Sequence, residues 1–130
     1  MSHPSCRLLV DLTTEWTAHL ADEPLGPWAG TPLEGCSTPG EALAAAKLRT
    51  SRENDSLLVH LLEAHQEGNT QAGRLVLQMM LPKVAAITRR DNGRTDDIHG
   101  LALAALWEAI ATYPLHRTTH VAANLGFAAI

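Results

Sequence analysis

The chain has 130 residues and a formal net charge of -4, the length of one ordinary domain and a charge balance with no overall electrostatic pull toward a polyanion, so any nucleic-acid binding has to rest on a local patch. Hydrophobic residues make up 45% of the chain but aromatics only 4%, and alanine and leucine dominate the apolar set, which favours close-packed helices over sheets. No segment approaches the roughly 20 apolar residues of a membrane span.

At the N-terminus no basic stretch precedes an apolar run, so a cytoplasmic setting without secretion or membrane anchor is expected. Residues 7–21 set Leu8, Leu9, Leu12, Trp16 and Leu20 near helical spacing and predict a first helix. From Asp22 to Gly40 the prolines Pro24, Pro27, Pro32 and Pro39 alternate with glycines; this predicts a loop or linker, laid along the surface by Trp28. Cys6 and Cys36 lie in separate neighbourhoods with no CxxC partner, so neither a metal knuckle nor a disulfide framework is expected.

Residues 41–50 predict a short helix, after which Asp55 or Ser56 is the candidate cap of the next one. Leu57, Leu58, Leu61, Leu62 and His65 share a helix face that stops at Gly68-Asn69, with Thr70 the candidate cap of its successor. That successor puts Ala72, Leu75, Val76, Met79, Met80, Val84 and Ile87 on one side, is expected to kink at Pro82, and carries Arg89 and Arg90 near its end, where cations are favourable. After a DNGR turn, Asp96 and Asp97 open a helix in which Ile98, Leu101, Ala102, Ala105, Leu106, Ala109, Ile110 and Tyr113 keep helical spacing. Pro114 ends it, and Thr118 or Thr119 is the candidate cap of a final apolar helix.

With no internal repeat and no alternating run that makes a strand, the fold predicted is all-α: a small helical bundle of about five to six helices with an irregular Pro/Gly-rich N-terminal segment. Two parts are expected, 1–53 and 54–130, with packing into one domain as the alternative.

His116 and His120 have the four-residue spacing of metal ligands on one helix face, but Pro114 sets His116 before the helix and no third ligand is near, so no metal site is expected. Asp96 and Asp97, adjacent on a helix, diverge; a first-turn role explains them better than an acid–base pair. No GxSxG, HExxH, GxxxxGK[ST] or GxGxxG pattern occurs, so no catalytic residue, cofactor or enzymatic activity is expected. Leu103 and Trp107 lie off the stripe through Leu101 and Leu106, leaving this helix apolar on two sides. Either its neighbours bury both, or the second side is a groove or ridge for a partner.

NDSLLVHLLEAHQEGNTQAGRLVLQMMLPKVAAITRR (54–90) reads as a leucine-rich helix, a Gly-polar break, and a long helix with a mid-helix proline and a basic end. DDIHGLALAALWEAIATYP follows with an acidic start, an apolar middle, a Leu-Trp pair and a closing aromatic-Pro, at Asp96, Asp97, Ile98, Leu106, Trp107, Ala109, Tyr113 and Pro114. In this order residues 54–125 resemble region 2 of bacterial RNA polymerase sigma factors. The resemblance implies that the helix from Asp96 docks on the clamp helices of the largest subunit of RNA polymerase core, with Asp96, Asp97, Ile98, Gly100, Leu103 and Trp107 as partner contacts. It also implies that the last helix faces promoter DNA, with Arg89, Arg90, Arg117, His120 and Asn124 as contacts. This is binding work without turnover.

Three departures stand beside the match. Gly100 and Leu101 occupy the place of the family's usual Gln-Glu pair. The final helix, THVAANLGFAAI, also lacks the basic and stacking aromatic side chains that hold single-stranded DNA, leaving Arg117, His120, Asn124 and Phe127. No helix-turn-helix domain follows, so the resemblance implies a degenerate or truncated relative. The alternative is a helical adaptor that self-associates as a homo-oligomer or binds a protein partner through the Leu103 and Trp107 face, with no DNA contact.

Overall fold

Alanine and leucine at helical spacing produce the fold that the composition predicts. The computed structural model describes residues 4–30, 33–89 and 96–128, with side chains placed for 9–30, 33–86 and 100–127. The regular elements among them are all helical: α1 (Pro4–Glu15), continued by a π-helix (Trp16–Leu20), then α2 (Pro39–Lys47), α3 (Asp55–Gln66), α4 (Thr70–Arg89), α5 (Asp96–Thr112) and α6 (Val121–Ala128). No helix among the described residues is long and apolar enough to cross a membrane.

The core forms where α3, α4, α5 and α6 meet. Leu57, Leu58, Leu61 and Leu62 of α3 face Leu75, Val76, Met80 and Val84 of α4, with Leu106 and Ile110 of α5 and Val121 and Leu125 of α6 all buried in the same cluster. At about 1.5–3 kcal/mol for each large aliphatic side chain taken out of water, this cluster dominates the stabilisation. α4 stays helical from Thr70 to Arg89 through Pro82, which sits on its exposed side.

Residues before Asn54 pack onto the same core. α1 lies against α5 and α4, the π-helix carries Trp16 inward, and α2 meets α4. The Pro/Gly-rich stretch is pinned by Trp28, as its sequence predicts: the indole Nε1 donates to Gln71 Oε1 at 2.8 Å, the Trp28 carbonyl lies 2.9 Å from His60 Nε2, and the two rings stack at 6.3 Å. Gln71 Nε2 also donates to the Pro24 carbonyl at 3.2 Å.

The helix ends correct several sequence expectations. Asp55 does not cap α3; its carboxylate accepts the His120 and Val121 N–H groups at 3.1 and 3.0 Å and caps α6 across the bundle, a part expected of Thr118 or Thr119. Asn54, which precedes α3, makes no capping bond there and donates its amide to the Ala46 carbonyl at 2.9 Å. Asn69, not Thr70, caps α4, its Oδ1 accepting the Ala72 N–H at 3.1 Å. Gly68, at φ 107, supplies the left-handed stop after α3. α2 begins two residues early because Thr38 caps it, Thr38 Oγ1 accepting the Glu41 N–H, while Glu41 Oε1 accepts the N–H of Ser37, one residue before the cap.

The buried side of α5 is also rotated from the predicted stripe. Leu101 is 70% exposed, while Leu103 is buried at 8%. α1 and α4 both pack against α5, so Leu103 of the second apolar side is covered, while Leu101 and, in part, Trp107 are left outside.

Candidate partner-binding face and polar groove

Exposed positions on α5 recur at Leu101, Ala104, Trp107, Glu108 and Ala111, the three- and four-residue spacing of one helix face. Gly100, half-buried, borders this face and has open space where a Cβ would stand. The face is therefore shallow and apolar, bounded by Leu101 and Trp107, with Glu108 the only charge among the side chains described on it. Gly100 and Leu101 both lie on the outward side of α5.

Trp107 is 39% exposed and has support from beneath. Its indole meets the His65 imidazole with ring centroids 5.0 Å apart and planes tilted by 58°. His65 in turn rests on Gly73 of α4, where an added Cβ would stand 2.6 Å from His65 Cε1 and 2.7 Å from Cγ. Only glycine leaves room for the imidazole at that crossing of α3 and α4. Beside Trp107 a hollow of about 340 Å³ is lined by Trp16, Leu20 and Arg74. Burial lowers the Arg74 pKa and the Glu15 carboxylate, 3.4 Å away, partly restores it; Arg74 Nη2 donates to the Leu12 carbonyl at 2.8 Å.

A second concavity, an open groove of about 810 Å³, lies where α3 and α6 begin, with Arg52, Asp55, Lys83 and His120 among its walls. The segment before α6 is built rather than slack. Tyr113 Oη donates to the Arg117 carbonyl at 2.8 Å and accepts from Asn124 Nδ2 at 3.1 Å. Gln66 Nε2 donates to the Tyr113 carbonyl at 3.0 Å. His120 adopts a left-handed backbone, φ 55, and the Asp55 carboxylate fixes its N–H.

The residues singled out from the sequence therefore fall in different places. Trp107 and Gly100 lie on the outward side of α5, whereas Leu103, expected at a partner surface, is in the core. Arg117 and His120 are exposed before α6, and Asn124 has its amide bound to Tyr113 Oη and the Thr119 carbonyl. The side chains of Arg89, Asp96, Asp97 and Ile98, and all of Arg90, lie outside the described residues. Sequence reasoning missed Arg52 and Lys83 beside His120, and His65 beneath Trp107. No local pattern marks either set, because each joins residues from separate segments of the chain.

Among the described residues no three of His, Cys, Asp and Glu gather as a metal site would require. His116 and His120 both sit before α6, exposed. No protein-family model, curated protein or solved structure matches this chain.

Proposed function

We propose that this protein is a non-enzymatic helical interaction domain of the sigma-region-2 kind, acting in transcription in the cytoplasm and binding RNA polymerase core through the outward face of α5. The observation that carries the reading is the exposure on one side of α5 of Trp107, which the resemblance assigns to the polymerase contact, together with Leu101, which stands at one position of the family's Gln-Glu pair. Apolar groups rimming a shallow helix face are suited to receiving another helix, and a half-exposed tryptophan held by a neighbouring ring is a typical anchor for such contacts. Promoter DNA is a secondary partner in this reading, with the exposed Arg117 and His120 as its contacts.

A second reading, a helical adaptor that self-associates or binds another protein, is favoured by Leu101 itself, because an apolar residue in place of a polar pair suits an apolar partner better than a charged one. One experiment separates the two. Purified protein is titrated with purified core polymerase from the same cell, alongside Leu101→Asp and Trp107→Ala. Saturable binding weakened by both variants supports the polymerase reading. No binding to core, together with a concentration-dependent dimer that Leu101→Asp dissociates, supports the adaptor.

A further inference from the structure

Apart from His120, the residues lining the groove at the start of α6 have a charge and donor pattern that neither the α5 face nor the polymerase reading uses. Arg52 and Lys83 line it, and neither makes an ion pair among the described residues. Its one lining carboxylate, Asp55, has both oxygens taken by the His120 and Val121 N–H groups. Ser51, Ser56, Thr118 and Thr119 also line it, and their hydroxyls make no hydrogen bond among the described residues. In a chain of net charge -4, this is a locally cationic concavity with unused donors.

The position of Lys83 is set by packing. Gly126 of α6 faces its stem, and a Cβ there would stand 2.9 Å from Lys83 Cε and 3.2 Å from Cδ. The stem is thus laid along α6 beside the groove, which lowers the entropy lost when the ammonium group engages a ligand.

We propose that this groove binds the phosphate group of a small phosphate monoester. Such a group carries about -1.5 to -2 charges and three strong acceptor oxygens, matching two cationic side chains and four hydroxyl-bearing residues along the walls. A volume of about 810 Å³ is within the roughly 300–1,000 Å³ of small-molecule sites, and Ala122 and Ala123 offer an apolar wall for the organic part. Magnitude decides against an extended nucleic acid, whose binding draws on something like 6–10 phosphate contacts, where this groove has two cationic side chains.

The test is an amide chemical-shift titration of the full chain at constant ionic strength, using inorganic phosphate and phenyl phosphate, with a single-stranded oligonucleotide in parallel. The expected result is saturable shifts at Ser56, Thr119 and His120 with both phosphates. Arg52→Gln and Lys83→Met, at exposed positions, each weaken binding about tenfold, while Arg117→Gln, outside the lining, leaves it unchanged. The proposal is overturned if neither phosphate gives saturable shifts, if the groove variants bind as the wild type does, if Arg117→Gln weakens binding equally, or if only the oligonucleotide binds.

Discussion

His65 and Trp107 meet ring to ring between α3 and α5, 5.0 Å between centroids and tilted by 58°, because Gly73 on α4 leaves the imidazole a place to lie. The contact joins three helices at the edge of the outward α5 face. It makes the Trp107 environment depend on a glycine remote in sequence.

Gly73→Ala tests that dependence with opposing terms. Alanine is better than glycine inside a helix by about 1 kcal/mol, but its Cβ meets the His65 ring, and overpacking of this kind costs about 1–3 kcal/mol. The substitution is expected to destabilise the wild type and blue- or red-shift Trp107 emission, yet to stabilise a His65→Ala background. Denaturant unfolding of the four proteins in a double-mutant cycle measures the difference; additive effects would show that the ring does not rest on Gly73.

Asp55 holds the start of α6 from across the bundle. Asp55→Ala removes a cap and leaves the His120 and Val121 N–H groups without their carboxylate partner, at a cost of about 2–3 kcal/mol. Hydrogen exchange is expected to accelerate first at those two amides, ahead of the α3 core. Asp55→Asn, which keeps one acceptor oxygen, should lose less.

Leu103 and Leu101, two residues apart, are expected to respond oppositely to truncation. Leu103→Ala hollows the core and should cost about 2–5 kcal/mol, whereas Leu101→Ala should change stability by no more than about 0.5 kcal/mol. Thermal unfolding of the pair reads this directly, and equal losses would contradict the observed rotation of α5.

Trp28→Ala removes the bond to Gln71 and the stacking on His60. The segment between the π-helix and α2 is then expected to be cut by protease much faster than in the wild type, while the helical circular dichroism of the remaining chain is largely retained. Unchanged cleavage would mean that Trp28 does not pin the segment.

Glu53 supplies the pH dependence. Its Oε1 accepts the Thr50 N–H at 2.9 Å while its own N–H donates to Thr50 Oγ1 at 3.2 Å, and the bond from the Thr50 backbone, followed by that from its side chain, holds the carboxyl pKa below the usual value. A lowered folded-state pKa contributes stability that is present above the unfolded carboxyl pKa and is lost as pH falls through the folded one. Exchange at the Thr50 amide, corrected for its intrinsic pH dependence, should therefore lose protection in that acid window, and Glu53→Gln should flatten the change.

The amino-acid sequence by itself determined the class of fold and most of its helices. Leucines at i, i+3, i+4 spacing in α3 and the matching apolar stripe in α4 have one favourable way to leave water, and Gly68, Asn69 and Pro114 act within a turn of the residues they stop. Such signals are local, so they can be read along the chain. The linker anchor Trp28 was legible for a similar reason, as a large aromatic ring stranded among prolines and glycines. The tertiary structure alone decided which side of α5 faces out, because Leu101 and Leu103 are equally apolar and only the packing of α1 and α4 distinguishes them. It also decided that Asp55 caps α6 rather than its own helix, and that Arg52, Lys83 and His120 share a groove. Those relations join residues of separate elements, where the energy of a contact depends on how helices cross and no periodicity in the chain records it.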